Sequence, residues 1–152
     1  MPTNYSKSVE DYLEAVYILS EQKGYARSKD VSRHLRVSTP SVSEMLVKLK
    51  KLGLINHEPY SPIQLTQTGE QSARAVKTRH DTLTKFFRIL QVDEKTATCD
   101  ACEIEHDLSP QTLAQLTKFV GFVEAADNPC FIDRFSEYCR TGKHTCKKTK
   151  KQ

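Results

Sequence analysis

Two neighbouring segments decide the fold: Ser28-Lys29-Asp30-Val31-Ser32-Arg33-His34-Leu35 and, after three residues, Thr39-Pro40-Ser41-Val42-Ser43-Glu44-Met45-Leu46-Val47-Lys48-Leu49-Lys50-Lys51-Leu52-Gly53. Both segments space their apolar residues at helical intervals, and Ser28 is placed to cap the first. In the second, Pro40 near the start and Gly53 past the end are typical of helix termini. Two short helices joined by a tight turn, the second polar on its outer face, predict a helix-turn-helix.

The flanking segments extend this motif to a winged domain. Residues 7–22 keep an apolar helical spacing, and Gly24 follows them as a helix end. After the motif, the apolar runs 54–55 and 63–66 flank a turn that contains two prolines, which predicts a two-stranded hairpin, or wing. Residues 1–66 are therefore predicted to be a winged helix-turn-helix DNA-binding domain.

The outer face of the second motif helix predicts the DNA contacts. A recognition helix reads base edges with residues near its N-terminus, while basic and hydroxyl side chains around it bind phosphates. We expect base contacts from Thr39, Pro40, Ser41 and Ser43, and phosphate contacts from Arg27, Ser28 and Lys48.

Residues 67–126 are predicted to form an all-helical dimerisation and metal-binding domain. A long helix over 67–90 is followed by one that opens at Asp93 and one that opens at Ser109-Pro110. The apolar residues expected on their buried faces are Ala73, Val76, Leu83, Phe87, Leu90, Ala97, Ala101, Ile104, Leu108, Leu113, Leu116, Val120 and Val123. With Phe119 and Phe122 beside them, this surface exceeds what one small domain can cover, so we expect a homodimer.

A cluster in the second of these helices has the residue types that bind transition metals. Cys102, Glu105 and His106 are three and four residues apart, a spacing that brings helical side chains onto one surface. Each residue type binds such metals in its deprotonated form. Three ligands do not complete a site, so the others must come from elsewhere, and the candidates are Asp11, Glu14 and His80. The alternative is a solvated helix face with one buried thiol.

The last segment, residues 127–152, is predicted to be a Cys-containing, Lys-rich tail with a short docking helix. Its Cys139, His144 and Cys146, with Cys130 upstream, are candidates for a second metal site. Their spacing matches no standard zinc module, so scattered thiols are the favoured explanation.

Composition narrows the class of protein. The chain has 152 residues, 28% of them charged, and no apolar run long enough to cross a membrane. The first residues lack the apolar segment of a signal peptide, so we expect a cytoplasmic protein with reduced cysteines and no membrane partner. The net charge is +4, but the five lysines after residue 142 leave −1 over residues 1–142. A DNA-binding surface must therefore come from the arrangement of charge.

Three motifs together resemble a known family over roughly residues 5–126. They are Glu10-Asp11-Tyr12-Leu13-Glu14-Ala15-Val16-Tyr17, Arg79-His80, and Cys102-x-x-Glu105-His106 followed by Leu108-Ser109. The resemblance is to the diphtheria-toxin-repressor and manganese-transport-regulator family. It implies a homodimeric, metal-activated repressor that binds double-stranded operator DNA, here without the SH3-like third domain of the iron branch.

Carried over residue by residue, the resemblance implies a mixed set of metal ligands: Asp11, Glu14, His80, Cys102, Glu105 and His106. Asp11 and Glu14 match the manganese branch, Cys102 matches the iron branch, and the other three match both. Because thiolate is a softer donor than carboxylate, we expect Fe(II) as the activating ion and Mn(II) as the weaker second.

Two rival classes of protein are less well supported by the sequence. A metal hydrolase would need an open coordination site and a general base, and no His-Glu-x-x-His pattern is present, so we expect no enzyme. A winged regulator that senses a small organic ligand would not need carboxylates and a thiol on three helices. A manganese-responsive regulator of the same family remains an alternative to the iron-responsive one.

Overall fold

The computed structural model describes residues 5–125 and 130–144. Within them it has seven helices and one two-stranded antiparallel sheet, which confirms the mainly α fold. The elements are α1 Lys7–Lys23, α2 Ser28–Leu35, α3 Thr39–Lys51, β1 Ile55–Asn56, β2 Gln64–Leu65, α4 Gln67–Ile89, α5 Glu94–Ile104, α6 Pro110–Glu124 and α7 Cys130–Thr141. The described chain divides into two compact units, one up to His80 and one from Asp81. None of the described helices is long and apolar enough to span a membrane.

The core of the first unit is built on α1, whose apolar residues recur at helical spacing and are buried. Side chains of α2, α3 and the hairpin pack against them in one cluster, which includes Val31, Val42, Leu46, Leu49, Ile55 and Ile63. Gly24 ends α1 with a left-handed φ of 78°, a conformation that glycine adopts without a Cβ penalty.

A tight turn joins α2 to α3 and completes the predicted helix-turn-helix. Arg36 is left-handed (φ 56°) and its N–H donates to the carbonyl of Ser32, which closes α2. Ser38 caps α3 by accepting a hydrogen bond of 3.2 Å from the N–H of Ser41. Ser28, however, is the first residue of α2, and the N-cap is Arg27, so the predicted capping role of Ser28 is wrong.

The wing has shorter strands than the sequence predicts. Ile55 pairs with Leu65 and Asn56 with Gln64, while Ile63 forms an isolated bridge with Ala26. Beyond the paired residues, the Thr66 N–H still donates to the Leu54 carbonyl at 3.0 Å, while the Thr66 side chain accepts a hydrogen bond from the Gly69 N–H at the start of α4.

In the second unit, α5 and α6 begin at side-chain caps. The Asp93 side chain accepts a hydrogen bond from the Thr96 N–H, and the Ser109 side chain accepts one from the Thr112 N–H. The buried side chains include Leu83, Ala97, Ala101 and Val120. Two predicted core residues are instead exposed, Leu90 at 41% and Ile104 at 37%, because each lies at a helix end.

Candidate metal centre and DNA-binding face

The candidate metal ligands divide equally between the two units. Asp11 and Glu14 lie on α1 in the first unit, partly buried beside the core residues of that helix. His80, also partly buried, lies on α4 as the last residue of the first unit. The second unit holds the other three, Cys102, Glu105 and His106.

A buried ion pair within the first unit connects the helices that carry its three candidate ligands. Arg79 Nη2 lies 2.6 Å from Glu10 Oε2, and the two side chains are only 20% and 9% exposed. Glu10 precedes Asp11 on α1, and Arg79 precedes His80 on α4. The pair therefore fixes the position of α1 against α4 next to these ligands.

Sequence reasoning missed this ion pair because its members are 69 residues apart. One local signal was available: Arg79 lies three residues after buried Val76 and four before buried Leu83. A charged residue within an apolar stripe needs a buried partner of opposite charge.

The cluster in the second unit differs from its predicted form. Helix α5 ends at Ile104, so Glu105 is its C-cap and His106 lies in the following turn. The Glu105 side chain is completely buried, and its Oε1 lies 3.3 Å from Nε2 of His106, which is 6% exposed. Cys102 is exposed. The helix that carries Cys102 therefore ends before His106, earlier than the sequence indicates.

The donor chemistry of these residues fits a divalent transition metal. A buried carboxylate beside an imidazole supplies one anionic oxygen and one nitrogen, both common ligands of such ions. Burying a carboxylate is costly unless positive charge compensates it, and a divalent ion supplies that charge. Asp11, Glu14 and His80 offer the same donor types.

The predicted second metal site is only partly covered by the structure. Cys139 is exposed on α7, and the His144 ring lies 6.3 Å from the Tyr138 ring, centroid to centroid. Cys146 and the side chain of Cys130 lie outside the described residues. This site stays a prediction.

The predicted base-contacting residues surround the start of α3. Thr39, Pro40, Ser41 and Ser43 are all exposed there, as is Lys48 further along the helix. Two of the hydroxyls already make local hydrogen bonds. Ser41 Oγ lies 2.8 Å from Ser38 Oγ, and Ser43 Oγ donates to the Thr39 carbonyl at 3.1 Å.

The residues predicted to bind phosphate next to α3 lie at the start of α2. Arg27 is exposed, and its guanidinium carbon lies 5.3 Å from the centre of the Tyr25 ring, a cation–π distance. Ser28 is partly buried. Arg27 therefore presents its charge at the surface, on a side chain that the aromatic ring holds in place.

A salt bridge that the sequence did not predict attaches the wing to α3. Lys50 Nζ donates to the His57 carbonyl at 3.0 Å and to Glu58 Oε1 at 2.9 Å. This hydrogen bond holds the pKa of Glu58 below its usual value. Tyr60 at the tip of the wing is fully exposed, with a left-handed φ of 66°.

Comparison with known proteins decides the family. Residues 4–63 match the family model "Iron dependent repressor, N-terminal DNA binding domain". Residues 66–130 match "Iron dependent repressor, metal binding and dimerisation domain". The chain belongs to the iron-dependent repressor family. This confirms the resemblance inferred from the sequence, and the chain is a metal-dependent transcriptional repressor of this family.

This repressor is similar in sequence to named transcriptional regulators and in fold to proteins of known structure. It is 38% identical over 120 residues to the HTH-type transcriptional regulator MntR of Bacillus pumilus, covering 79% of this chain and 83% of that protein. "Structure of the manganese regulator SloR" is 29% identical with a TM-score of 0.66, covering 75% of this chain and 54% of that one. "Manganese-dependent transcriptional repressor complex with manganese" is 27% identical with a TM-score of 0.69, covering 75% and 53%. The repressor thus spans about half the length of these two solved chains.

Proposed function

We propose that this repressor is a homodimer that binds operator DNA when loaded with a divalent transition metal, with Fe(II) the preferred activator. The observation that carries the proposal is the buried Glu105 carboxylate beside the His106 imidazole. The ligands we propose are Asp11, Glu14, His80, Cys102, Glu105 and His106. A bound ion supplies the positive charge that these anionic and imidazole donors require.

The division of the ligands between two units suggests how metal affects DNA binding. Asp11, Glu14 and His80 belong to the unit that carries the recognition helix, whereas the other three belong to the unit proposed to dimerise. Ligands from both units that share one ion restrict how the winged units are held in the dimer. Two recognition helices can then enter major grooves about 34 Å apart. Without metal, apparent operator affinity falls with the fraction of competent dimers.

Homodimerisation is supported by the surface of α6. Val120 is its one buried residue, while Phe122 is 72% exposed. An exposed apolar surface of this kind is typical of a subunit interface, and two-fold symmetry lets the same surface serve both protomers. A DNA-binding role also places the protein in the cytoplasm.

The preference for iron rests on Cys102. A thiolate favours Fe(II) over Mn(II), and binding through it releases a proton, whereas the carboxylate of Asp11 favours Mn(II). We expect the anionic sulfur to have the larger effect. The alternative, a manganese-responsive repressor, is favoured by the two solved relatives, of which one is a manganese regulator and the other a manganese-dependent repressor.

The test is an anaerobic titration of operator binding with Fe(II), Mn(II), Co(II) and Zn(II). We expect tightest activation by Fe(II), and Cys102→Glu should raise the potency of Mn(II) relative to Fe(II). Cys139→Glu, at an exposed thiol on α7, is the matched control and should leave the ratio unchanged. If Fe(II) and Mn(II) are equally potent and Cys102→Glu does not change their ratio, Cys102 does not determine which metal activates the repressor. Operator binding that is independent of metal would contradict the whole proposal.

A second candidate function is a transcriptional regulator that senses a small organic ligand. The observation that favours it is a surface pocket of about 410 Å³ in the first unit. The residues that line this pocket include two tyrosines and two glutamates, Tyr17, Tyr25, Glu21 and Glu70. Operator binding that responds to a small organic ligand but not to metal would favour this candidate.

A further inference from the structure

Helix α5 carries two exposed thiols, of which only one belongs to the proposed metal site. Cys99 and Cys102 both lie within α5, which runs from Glu94 to Ile104, and both are exposed as thiols. Cys102 is a proposed metal ligand, whereas Cys99 has no role in the metal site or the DNA-binding face.

Helix geometry brings these two cysteines within a local distortion of disulfide distance. Residues three apart on an α-helix are about 4.5 Å apart along the axis and lie on the same face. Their Cα atoms are then about 5 Å apart, inside the range of roughly 4.4–6.8 Å that disulfides require. Their Cβ atoms are about 5–6 Å apart and must approach to about 4 Å, so the bond requires a local distortion of the helix. Cys102 also lies in the last turn of α5, two residues before its end, where fewer hydrogen bonds resist a local distortion.

We propose that a peroxide oxidises Cys99 and Cys102 to a disulfide within α5, which removes Cys102 as a metal ligand. The Cys99 thiol releases its proton and the thiolate attacks the peroxide; the O–O bond breaks, a sulfenic acid forms, and the departing hydroxide takes up that proton as water. The Cys102 thiol then attacks that sulfur, the S–S bond forms, and the hydroxyl group leaves as water. Two thiols and one hydrogen peroxide give one disulfide and two waters, with two electrons passing to the peroxide.

This proposal rests on the proposed function, because it assigns regulation to the same metal site. A disulfide sulfur is not an anionic ligand, so oxidation deletes one donor without changing the sequence. Loss of outer-shell partners already costs at least about tenfold in metal affinity, and loss of a direct ligand should cost no less. Peroxide would therefore release the repressor from DNA even when metal is present.

The sequence offers a direct assay for this disulfide. Trypsin cleavage after Lys95 and Lys118 yields a peptide of residues 96–118, which contains Cys99 and Cys102 and no other cysteine. After hydrogen peroxide treatment of the full chain, we expect this peptide to lose two hydrogen atoms in mass and to resist alkylation. Cys139→Ser should leave this result unchanged, and Cys99→Ser should abolish it. A peptide that stays fully alkylated, or a disulfide that uses Cys139 instead, would overturn the proposal.

A second readout separates failure of this proposal from failure of the proposed function. Mn(II) binding is measured on the reduced and oxidised chain by the electron paramagnetic resonance signal of the unbound ion. We expect oxidation to weaken binding at least about tenfold in the native chain and to leave Cys99→Ser unchanged. A disulfide that leaves Mn(II) affinity intact would refute the regulatory role. Reduced protein that binds no Mn(II), Fe(II) or Co(II) would instead refute the proposed function.

Discussion

Removing the Arg79 guanidinium should strongly destabilise the first unit, because the buried Glu10 carboxylate loses the guanidinium that lies closest to it in the ion pair described above. The two groups are 2.6 Å apart, and the Glu10 side chain is 9% exposed. Breaking a buried pair by deleting one partner costs about 3–5 kcal/mol. Since the Arg79 side chain is 20% exposed, water reaches part of the pair, and we expect Arg79→Met to cost about 3 kcal/mol, at the lower end.

A surface pair on the same helix provides the matched control. Arg74 lies 2.9 Å from Glu70, but these side chains are 62% and 47% exposed. Exposed pairs of this spacing contribute about 0.3–0.5 kcal/mol. The Arg74 guanidinium also lies 5.8 Å from the centre of the Tyr17 ring, a contact that contributes about 0.5–1 kcal/mol, so Arg74→Met should cost no more than about 1.5 kcal/mol.

The assay is urea unfolding followed by far-UV circular dichroism, with the midpoint and slope compared across variants. Methionine at both Glu10 and Arg79 removes the two charges together, and this double variant should be more stable than Arg79→Met alone. Equal stability of Arg79→Met and Arg74→Met would refute the reasoning. A double variant that loses as much as the sum of the single variants would show that the charges do not interact.

Three further predictions follow from the DNA-binding face, a close backbone contact and a helix cap. Lys48→Ala should weaken binding to all DNA sequences and reduce the salt slope by about one, and an unchanged slope would remove Lys48 from the interface. In Gly69→Ala, the added Cβ would lie 1.9 Å from the Leu54 carbonyl oxygen, so we expect a loss of about 1–3 kcal/mol or more in thermal unfolding. Gly121→Ala, whose Cβ meets nothing within 4 Å, should instead raise the melting temperature. Hydrogen bonds from Thr96 lower the pKa of the Asp93 carboxyl, so its stabilising effect is present above the unfolded pKa of about 4 and is lost as pH falls. The melting temperature of Asp93→Asn should thus fall below that of the native chain at pH 7 and match it at low pH; a constant difference would contradict this.

The helix-turn-helix was predictable because its signals are local. The apolar spacing indicates the buried face of a helix, and Pro40 and Gly53 each mark a helix end within a few residues of their own position. In the structure, α3 ends two residues before Gly53. The end of α5 was not predictable in the same way. No glycine or proline follows Ile104 directly, so nothing in the local sequence indicates that Glu105 is already the cap.

Burial and long-range pairing were the properties that sequence reasoning could not supply. Cysteine is more often buried than glutamate, yet the Glu105 side chain is completely buried and Cys102 is exposed. This difference depends on packing between distant segments, as does the contact between Glu10 and Arg79. The residue types of the candidate ligands were readable from spacing and resemblance, whereas their surroundings required the fold.

The hydrogen bond from Ser43 to the Thr39 carbonyl has a consequence for the bases that this repressor can distinguish. Its hydroxyl hydrogen is engaged within α3, and the exposed side of the oxygen offers only lone pairs. Cytosine N4 and adenine N6 present donors in the major groove, whereas guanine O6 and thymine O4 present acceptors. If the predicted base contact of Ser43 forms with this internal hydrogen bond retained, Ser43 can accept from an exocyclic amino group but cannot donate to a keto oxygen. We therefore expect this serine to favour cytosine and adenine over guanine and thymine at the base that it contacts.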